Sequence, residues 1–202
     1  MHLHVEEQRR EIEECVAAYG RAPMAVITEA VEGGPFTAVH CTHTADADMA
    51  RLLAGGGIAC LCPLTEGNLG DGIPRLAQPH AAGGRLAIGT DSNLRLAMLE
   101  ELRWLEYGQR LREELRGALP DSTGALAPTL LAAATTGGAA ALAVPAGRIA
   151  PGHWADLVAI DLRHPSLLDV PAARLLDALV FGAGNEVIAG TWVGGRWRAT
   201  GG

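Results

Sequence analysis

Short apolar runs alternate with helix-favouring segments along the first half of the chain, and this alternation limits the possible folds more than any other feature. Four runs have the composition of buried strands: residues 2–5, 37–41, 58–63 and 85–91. Strands that alternate with helices across short connections are typical of a parallel α/β sheet or barrel. A complete (β/α)8 barrel needs eight strands in about 250 residues, so four strands predict half of one.

Two longer helical stretches follow the fourth strand. Residues 96–118 form an amphipathic pattern with Leu96, Leu99, Trp104 and Leu111 among its apolar positions. The second stretch, from Pro128 to residue 143, is almost entirely small or apolar, which predicts a buried helix. Ahead of both, the polar run at residues 65–72 predicts a loop after the third strand.

The texture of the sequence changes near residue 147. Residues 147–161 contain turn-forming residues and then an alternating apolar strand, and residues 186–200 predict two strands joined near Gly194–Gly195. We therefore predict an α/β chain of two units. Residues 1–145 would be the C-terminal half of a TIM barrel with about four parallel strands, and residues 146–202 would be part of a small β-sandwich.

Charge and hydropathy exclude several classes of function. The net charge is −7 and no Lys/Arg cluster is present, which argues against a basic nucleic-acid-binding face. The sequence contains no apolar run long enough to cross a membrane and no secretory signal pattern. A cytoplasmic location is therefore expected, with Cys15, Cys41, Cys60 and Cys62 reduced.

Ionisable residues follow three of the predicted strands. His4 and Glu7 come at the end of the first, His40 at the end of the second, and Asp91 at the end of the fourth. Each residue alone has an ordinary explanation, such as a core histidine, a helix N-cap or a solvated carboxylate. Together they would converge, because the carboxyl ends of parallel barrel strands meet at one face. Histidine and carboxylate are zinc ligands, and a neighbouring carboxylate can move protons.

Several motifs resemble deaminases of the metal-dependent amidohydrolase superfamily. They are HLHVEEQ (2–8), VHCTH (39–43), LCPLTEGNLGDG (61–72) and GTDSN (89–93). The long motif EELRWLEYGQRLR at residues 100–112 resembles the formimidoylglutamate deiminase subfamily more specifically. The segment at residues 147–165 resembles the return of such enzymes to their β-sandwich.

This resemblance implies a role for each residue of the predicted site. His4 would be a metal ligand from the fifth barrel strand, and Glu7 would be the general acid and base. His40 would polarise the reacting group, and Asp91 would lie beside the metal and its water. Asn68 would help to shape the substrate pocket from the loop after the seventh strand. The implied cofactor is one divalent metal ion, with zinc expected.

The superfamily opens its barrel with an H-x-H pair, and the one H-x-H here is His2-Leu3-His4. The residues after it match the fifth strand instead, so we expect the C-terminal portion of an enzyme, with Met1 an internal start. Two ligands, His4 and Asp91, rarely hold zinc tightly, so the isolated chain is expected to be inactive or very weak. The expected partner is a missing N-terminal half, or a second copy in a homodimer of the intact enzyme.

The resemblance implies a small-molecule substrate and hydrolytic deimination. N-formimidoyl-L-glutamate and water would give N-formyl-L-glutamate and ammonia, a step of histidine degradation. Two alternatives stay open. One is another deaminase of the superfamily that acts on guanine or a related aminated heterocycle. The other is a non-catalytic remnant that serves as a binding or assembly partner.

Overall fold

The computed structural model describes residues 1–32 and 34–199, and its first part is built on a parallel sheet. The strands are β1 (His2–Val5), β2 (Thr37–His40), β3 (Ile58–Leu61) and β4 (Arg85–Ile88). They pair in the order β1-β2-β3-β4, all parallel, so that each strand lies beside its sequence neighbour. Four strands joined in this order by helices confirm the predicted α/β architecture.

Helices connect and cover this sheet. They are α1 (Arg9–Tyr19), α2 (Pro23–Ala30), α3 (Asp46–Ala54), α4 (Pro63–Leu69), α5 (Ala77–Ala81), α6 (Met98–Glu113), α7 (Ala127–Ala132), α8 (Gly138–Leu142) and α9 (Leu175–Gly182). The main core lies between the sheet and these helices, with Val5, Met24, Leu61, Leu102 and Leu130 among its buried residues. Every residue of β2 is buried, as expected for an inner strand of a parallel sheet.

The prediction of a loop over residues 65–72 was wrong for its first part, because α4 occupies Pro63–Leu69. Proline at the first helical position is compatible with a helix start. The carboxylate of Glu66 accepts a hydrogen bond from the N-cap amide of Cys62 at 2.8 Å, which satisfies a free amide. Gly70, with a φ of +74°, then ends the helix in the left-handed conformation.

The amphipathic helix predicted for residues 96–118 is present as α6, but three of the four apolar residues named for it are exposed. Helix α6 is shorter and ends at Glu113. Leu96 precedes the helix and is 66% exposed, Leu111 is 71% exposed, and Trp104 is partly exposed. Leu99 alone among the four is buried.

Buried polar side chains share the buried face of α6 with leucines. Glu106 accepts a hydrogen bond from the amide of Ala118 at 2.9 Å, and Gln109 accepts one from the amide of Leu76 at 3.0 Å. Both side chains are almost fully buried and anchor neighbouring segments to α6. Hydropathy patterns miss such a face because a satisfied polar group can be buried.

The helix predicted from Pro128 to residue 143 is present, but it is interrupted. A π-helical turn at Ala133–Gly137 separates α7 from α8. Gly137 lies directly against β4, where an added Cβ atom would come within 2.0 Å of the carbonyl oxygen of Leu86. The close approach of helix and strand therefore requires glycine at this position.

A second, antiparallel sheet follows. It contains β5 (Leu157–Ile160), β6 (Ile188–Val193) and β7 (Arg196–Ala199), and the last two form the predicted hairpin with positive φ at Gly194 and Gly195. Helix α9 between β5 and β6 was not predicted. Its Val180 belongs to the main core, so this segment contacts the barrel helices. The division at residues 145 and 146 stays a prediction.

None of the helices in the described part of the chain combines the length and the apolar character that crossing a membrane requires.

Candidate metal centre

The parallel register brings the predicted site residues to one edge of the sheet. His4 lies in β1, and Glu7 follows that strand. His40 ends β2, and Asp91 lies three residues beyond the end of β4. Since all four strands run in the same direction, their carboxyl ends point to the same side, and four side chains from three separate parts of the sequence meet there.

One ring nitrogen of His40 lies at the middle of this group. Its Nε2 is 3.2 Å from Nδ1 of His4, 3.7 Å from Oε1 of Glu7 and 3.6 Å from Oδ2 of Asp91. The His40 side chain is fully buried. Two imidazoles and two carboxylates therefore converge on a region only a few ångströms across.

These distances fit a bound zinc-like ion. Tetrahedral zinc with ligands at about 2.0–2.1 Å separates its donor atoms by roughly 3.3–3.4 Å. The donor atoms of His4, Glu7 and His40 all lie within 4.8 Å of one another, and Asp91 adds a fourth next to His40. The sequence assigned the metal to His4 and Asp91, and the structure adds Glu7 and His40 as neighbouring donors.

The backbone at two of these positions is unusual. His40 and Asp91 have φ values of +71° and +50°, in the left-handed region that residues other than glycine rarely adopt. Cys41, after His40, has a φ of +53°. Such conformations are sparsely populated and persist where the surrounding structure holds them, which is common at functional sites. The turns at the ends of β2 and β4 thus aim both side chains at the centre.

Glu11 fixes the turn that carries Glu7. Its carboxylate accepts hydrogen bonds from the amides of Glu6 and Glu7 at 2.9 and 3.0 Å. Both amides precede α1 and would otherwise lack a partner near the helix start. The Glu11 carboxylate therefore fixes the backbone from which the Glu7 side chain projects.

Sequence reasoning missed Glu66, the nearest neighbour of His40 on its other side. Glu66 is 4% exposed, and its Oε1 lies 3.3 Å from Nδ1 of His40. It follows a buried strand by a few residues, which is the same signal that identified His40. Asn68, the predicted pocket residue, lies on α4 with an exposed side chain. Its role stays a prediction.

Asp71 is a second missed residue. It is mostly buried, it accepts a hydrogen bond from Nε2 of Gln8 at 3.3 Å, and its carboxylate lies near enough to Glu7 to raise the pKa of Glu7. One of its oxygens, Oδ2, has no partner within the described residues. Three carboxylates, those of Glu7, Asp71 and Asp91, therefore lie close to the site.

These surroundings shift the proton affinities of two site residues. Burial raises the pKa of Glu7; the charge of His40 opposes this, while the nearby carboxylate of Asp71 adds to it. Burial favours the neutral ring of His40, but the hydrogen bond to Glu66 and the charge of Glu7 outweigh it, so the pKa of His40 is raised. Both shifts favour the protonated forms and suit groups that donate protons or hydrogen bonds.

Comparison with known proteins gives consistent matches. The sequence profile of the Amidohydrolase family matches residues 1–198. Over 199 residues the chain is 42% identical to formimidoylglutamate deiminase of Pseudomonas aeruginosa. An amidohydrolase from Brucella melitensis superposes with a TM-score of 0.88 at 34% identity, covering 99% of this chain and 44% of that one. An adenosine deaminase from Xanthomonas campestris with bound zinc superposes with a TM-score of 0.86 at 30% identity, covering 99% and 45%.

The match to the Pseudomonas protein covers 98% of this chain but 44% of that relative, so the chain spans less than half of its length. The family match nevertheless includes both sheets and every residue of the candidate site. By this match and by its fold, the chain belongs to the amidohydrolase family.

Proposed function

We propose that this chain carries part of the site of a metal-dependent hydrolase that deiminates N-formimidoyl-L-glutamate. The formimidoyl C=N group and one water would become a formyl C=O group and ammonia. The observation that carries the proposal is the convergence of His4, Glu7 and Asp91 on Nε2 of His40. The identity of 42% to a formimidoylglutamate deiminase supports the substrate.

His4 and Asp91 are the residues that would hold a divalent ion, with Glu7 and His40 beside it, and zinc is the best match to histidine and carboxylate donors. When bound, such an ion supplies Lewis acidity and lowers the pKa of water. Asp91 would orient the attacking water and accept its proton. His40 would donate a hydrogen bond from Nε2 and so stabilise charge that builds on the substrate.

Glu7 would deliver a proton to the departing nitrogen, which must leave as ammonia. Its raised pKa supports this role, because a general acid works best when its pKa lies nearer the working pH than that of an ordinary carboxyl group. The charge of Asp71 raises the pKa of Glu7 further and would help to keep that proton in place. Water loses two protons in this reaction, one as it attacks and one as the C=O group forms. These equal the two protons that the =NH nitrogen gains to leave as ammonia, and Asp91 and Glu7 would carry them.

Ammonia release tests the proposal directly. The chain would be supplied with Zn²⁺ and assayed alone and after mixing with the portion of the Pseudomonas aeruginosa relative that it does not cover. We expect release from N-formimidoyl-L-glutamate in the mixture and little in the chain alone. Release from guanine or adenosine, with none from N-formimidoyl-L-glutamate, would contradict the choice of substrate.

The second candidate is a deaminase of an aminated heterocycle. The Xanthomonas adenosine deaminase, at 30% identity with bound zinc, is the observation that favours it. The same assay separates the two, since only this candidate predicts activity on purines. A chain that neither binds Zn²⁺ nor gains activity in the mixture would instead be the non-catalytic remnant. The homodimer and the cytoplasmic location stay predictions.

A further inference from the structure

We propose that Glu66 is a positioning residue that fixes the ring of His40, so that Nδ1 carries a proton and Nε2 faces His4, Glu7 and Asp91. The proposal rests on the proposed function only for the chemistry that the site performs. Its structural content is independent of that function, because it concerns one buried hydrogen bond. In this proposal Glu66 contacts neither the substrate nor the metal.

The inference is based on the contacts of one oxygen atom of Glu66. Oε1 of Glu66 accepts a hydrogen bond from the amide of Cys62 at 2.8 Å and lies 3.3 Å from Nδ1 of His40. An ionised carboxylate can only accept hydrogen bonds, so the contact with His40 requires a proton on Nδ1. Glu66 and His40 are 4% and 0% exposed, which limits competition from water.

Fixing the proton on one nitrogen determines what the other can do. With Nδ1 protonated and turned toward Glu66, Nε2 lies 3.2–3.7 Å from the other three site residues. It then offers a lone pair in the neutral ring and a hydrogen bond in the cationic ring. Partners behind metal-site histidines commonly set the tautomer and the ring orientation in this way.

A purely structural explanation competes with this one. Glu66 also satisfies the amide that begins α4, so it would stabilise the helix whatever His40 does. Glu101 provides a matched comparison, because its carboxylate accepts a hydrogen bond from the amide of Leu64 at 2.9 Å and is also buried. Both glutamates anchor the start of the same helix, but the contact with His40 belongs to Glu66.

The test is NMR of the full, metal-free chain labelled with ¹⁵N-histidine, at a pH where His40 is neutral. We expect Nδ1 of His40 to be protonated in the wild type and in E101Q. In E66A we expect the proton to move to Nε2. In E66Q we expect a partial shift, since a neutral amide oxygen accepts a hydrogen bond more weakly than a carboxylate.

Titration with Zn²⁺ gives a second readout. Loss of such a partner typically lowers metal affinity about 10- to 100-fold, and we expect this for E66A but not for E101Q. A wild-type ring protonated on Nε2, or the same ring pattern in E66A as in the wild type, would overturn the proposal. An equal change in E101Q would assign Glu66 a purely structural role and overturn it as well.

If E66A does not fold, E66Q decides: a shift toward Nε2 protonation supports the proposal, and unchanged nitrogen resonances overturn it. Neither readout uses catalysis. Failure of the ammonia assay would therefore leave the tautomer result intact, and a wrong tautomer would leave the proposed reaction standing.

Discussion

The two sheets of this protein differ in which residues adopt left-handed backbone at the ends of their strands. At the ends of the parallel strands β2 and β4, left-handed backbone is adopted by His40, Cys41 and Asp91. In the antiparallel sheet the same conformation at the β6–β7 turn is adopted by Gly194 and Gly195. Glycine makes a turn at no steric cost, whereas a side chain there must be held by its surroundings.

Burial explains how the parallel sheet can hold such residues. All of β2 is buried, and His40 is enclosed by Glu66 on one side and by the other site residues on the other. In β5, by contrast, Leu157 and Val158 are exposed. A tightly packed interior can fix strained and ionisable groups, and the more open sheet uses residues that need no such support.

The largest expected effect comes from removing a site group from the parallel sheet. Glu7→Gln keeps the size of the side chain but cannot deliver a proton, so the rate of ammonia release in the complemented enzyme should fall by about 10²- to 10⁴-fold. Arg196→Gln, an exposed change in the antiparallel sheet, should leave the rate unchanged. Equal rates for Glu7→Gln and the wild type would remove Glu7 from the mechanism.

Packing around β4 should give the next largest effect. In Gly137→Ala the new Cβ atom would meet the carbonyl oxygen of Leu86 at 2.0 Å, so backbone must move, and the free energy of unfolding should fall by about 3 kcal/mol or more. Gly138→Ala is the control, because the nearest atom, the carbonyl oxygen of Ala133, is 3.8 Å away. It should stabilise the helix by about 0.5–1 kcal/mol. Urea unfolding measures both, and similar stabilities for the two variants would contradict the close approach.

A buried carboxyl group should make stability depend on pH. Burial raises the pKa of Glu101 to about 7 from its usual value of 4.5, although the hydrogen bond from the amide of Leu64 opposes this. Between these values the unfolded chain loses the proton and the folded chain keeps it, so this contribution to stability falls as pH rises. Glu101→Gln removes that loss and should be about 3 kcal/mol more stable than the wild type at pH 8, relative to pH 4. Parallel stability profiles of the two proteins across pH 4–8 would disprove it.

The smallest effect is expected in the antiparallel sheet. In Gly190→Ala the Cβ atom would meet the ring of Trp197 at 2.1 Å, but this ring is 50% exposed and can move outward. The free energy of unfolding should fall by about 1 kcal/mol. Tryptophan fluorescence should also change, because the contact between Trp192 and Trp197 loosens. A fall in the free energy of unfolding as large as that of Gly137→Ala would show that the two sheets are equally rigid.

The sequence predicted the architecture better than the side-chain environment. Buried strands leave an apolar run that survives in any context, so β1 to β4 were found close to their observed bounds. Helix α4 and the polar part of the buried face of α6 were missed because their glutamates are satisfied by backbone amides. Glu66 accepts a hydrogen bond from the N-cap amide of its own helix, and Glu106 accepts one from the amide of Ala118. A backbone amide can belong to any residue type, so a hydropathy pattern cannot show which polar side chains have such a partner.

By itself the sequence determined four parallel strands, an antiparallel hairpin and the ionisable residues His4, Glu7, His40 and Asp91 at the strand ends. Periodicity and turn residues encode these features locally. Only the tertiary structure decided that the four side chains meet around one nitrogen of His40, and that Glu66 and Asp71 join them. The physical reason is that convergence depends on strand register and on buried hydrogen bonds between segments, which no local pattern specifies.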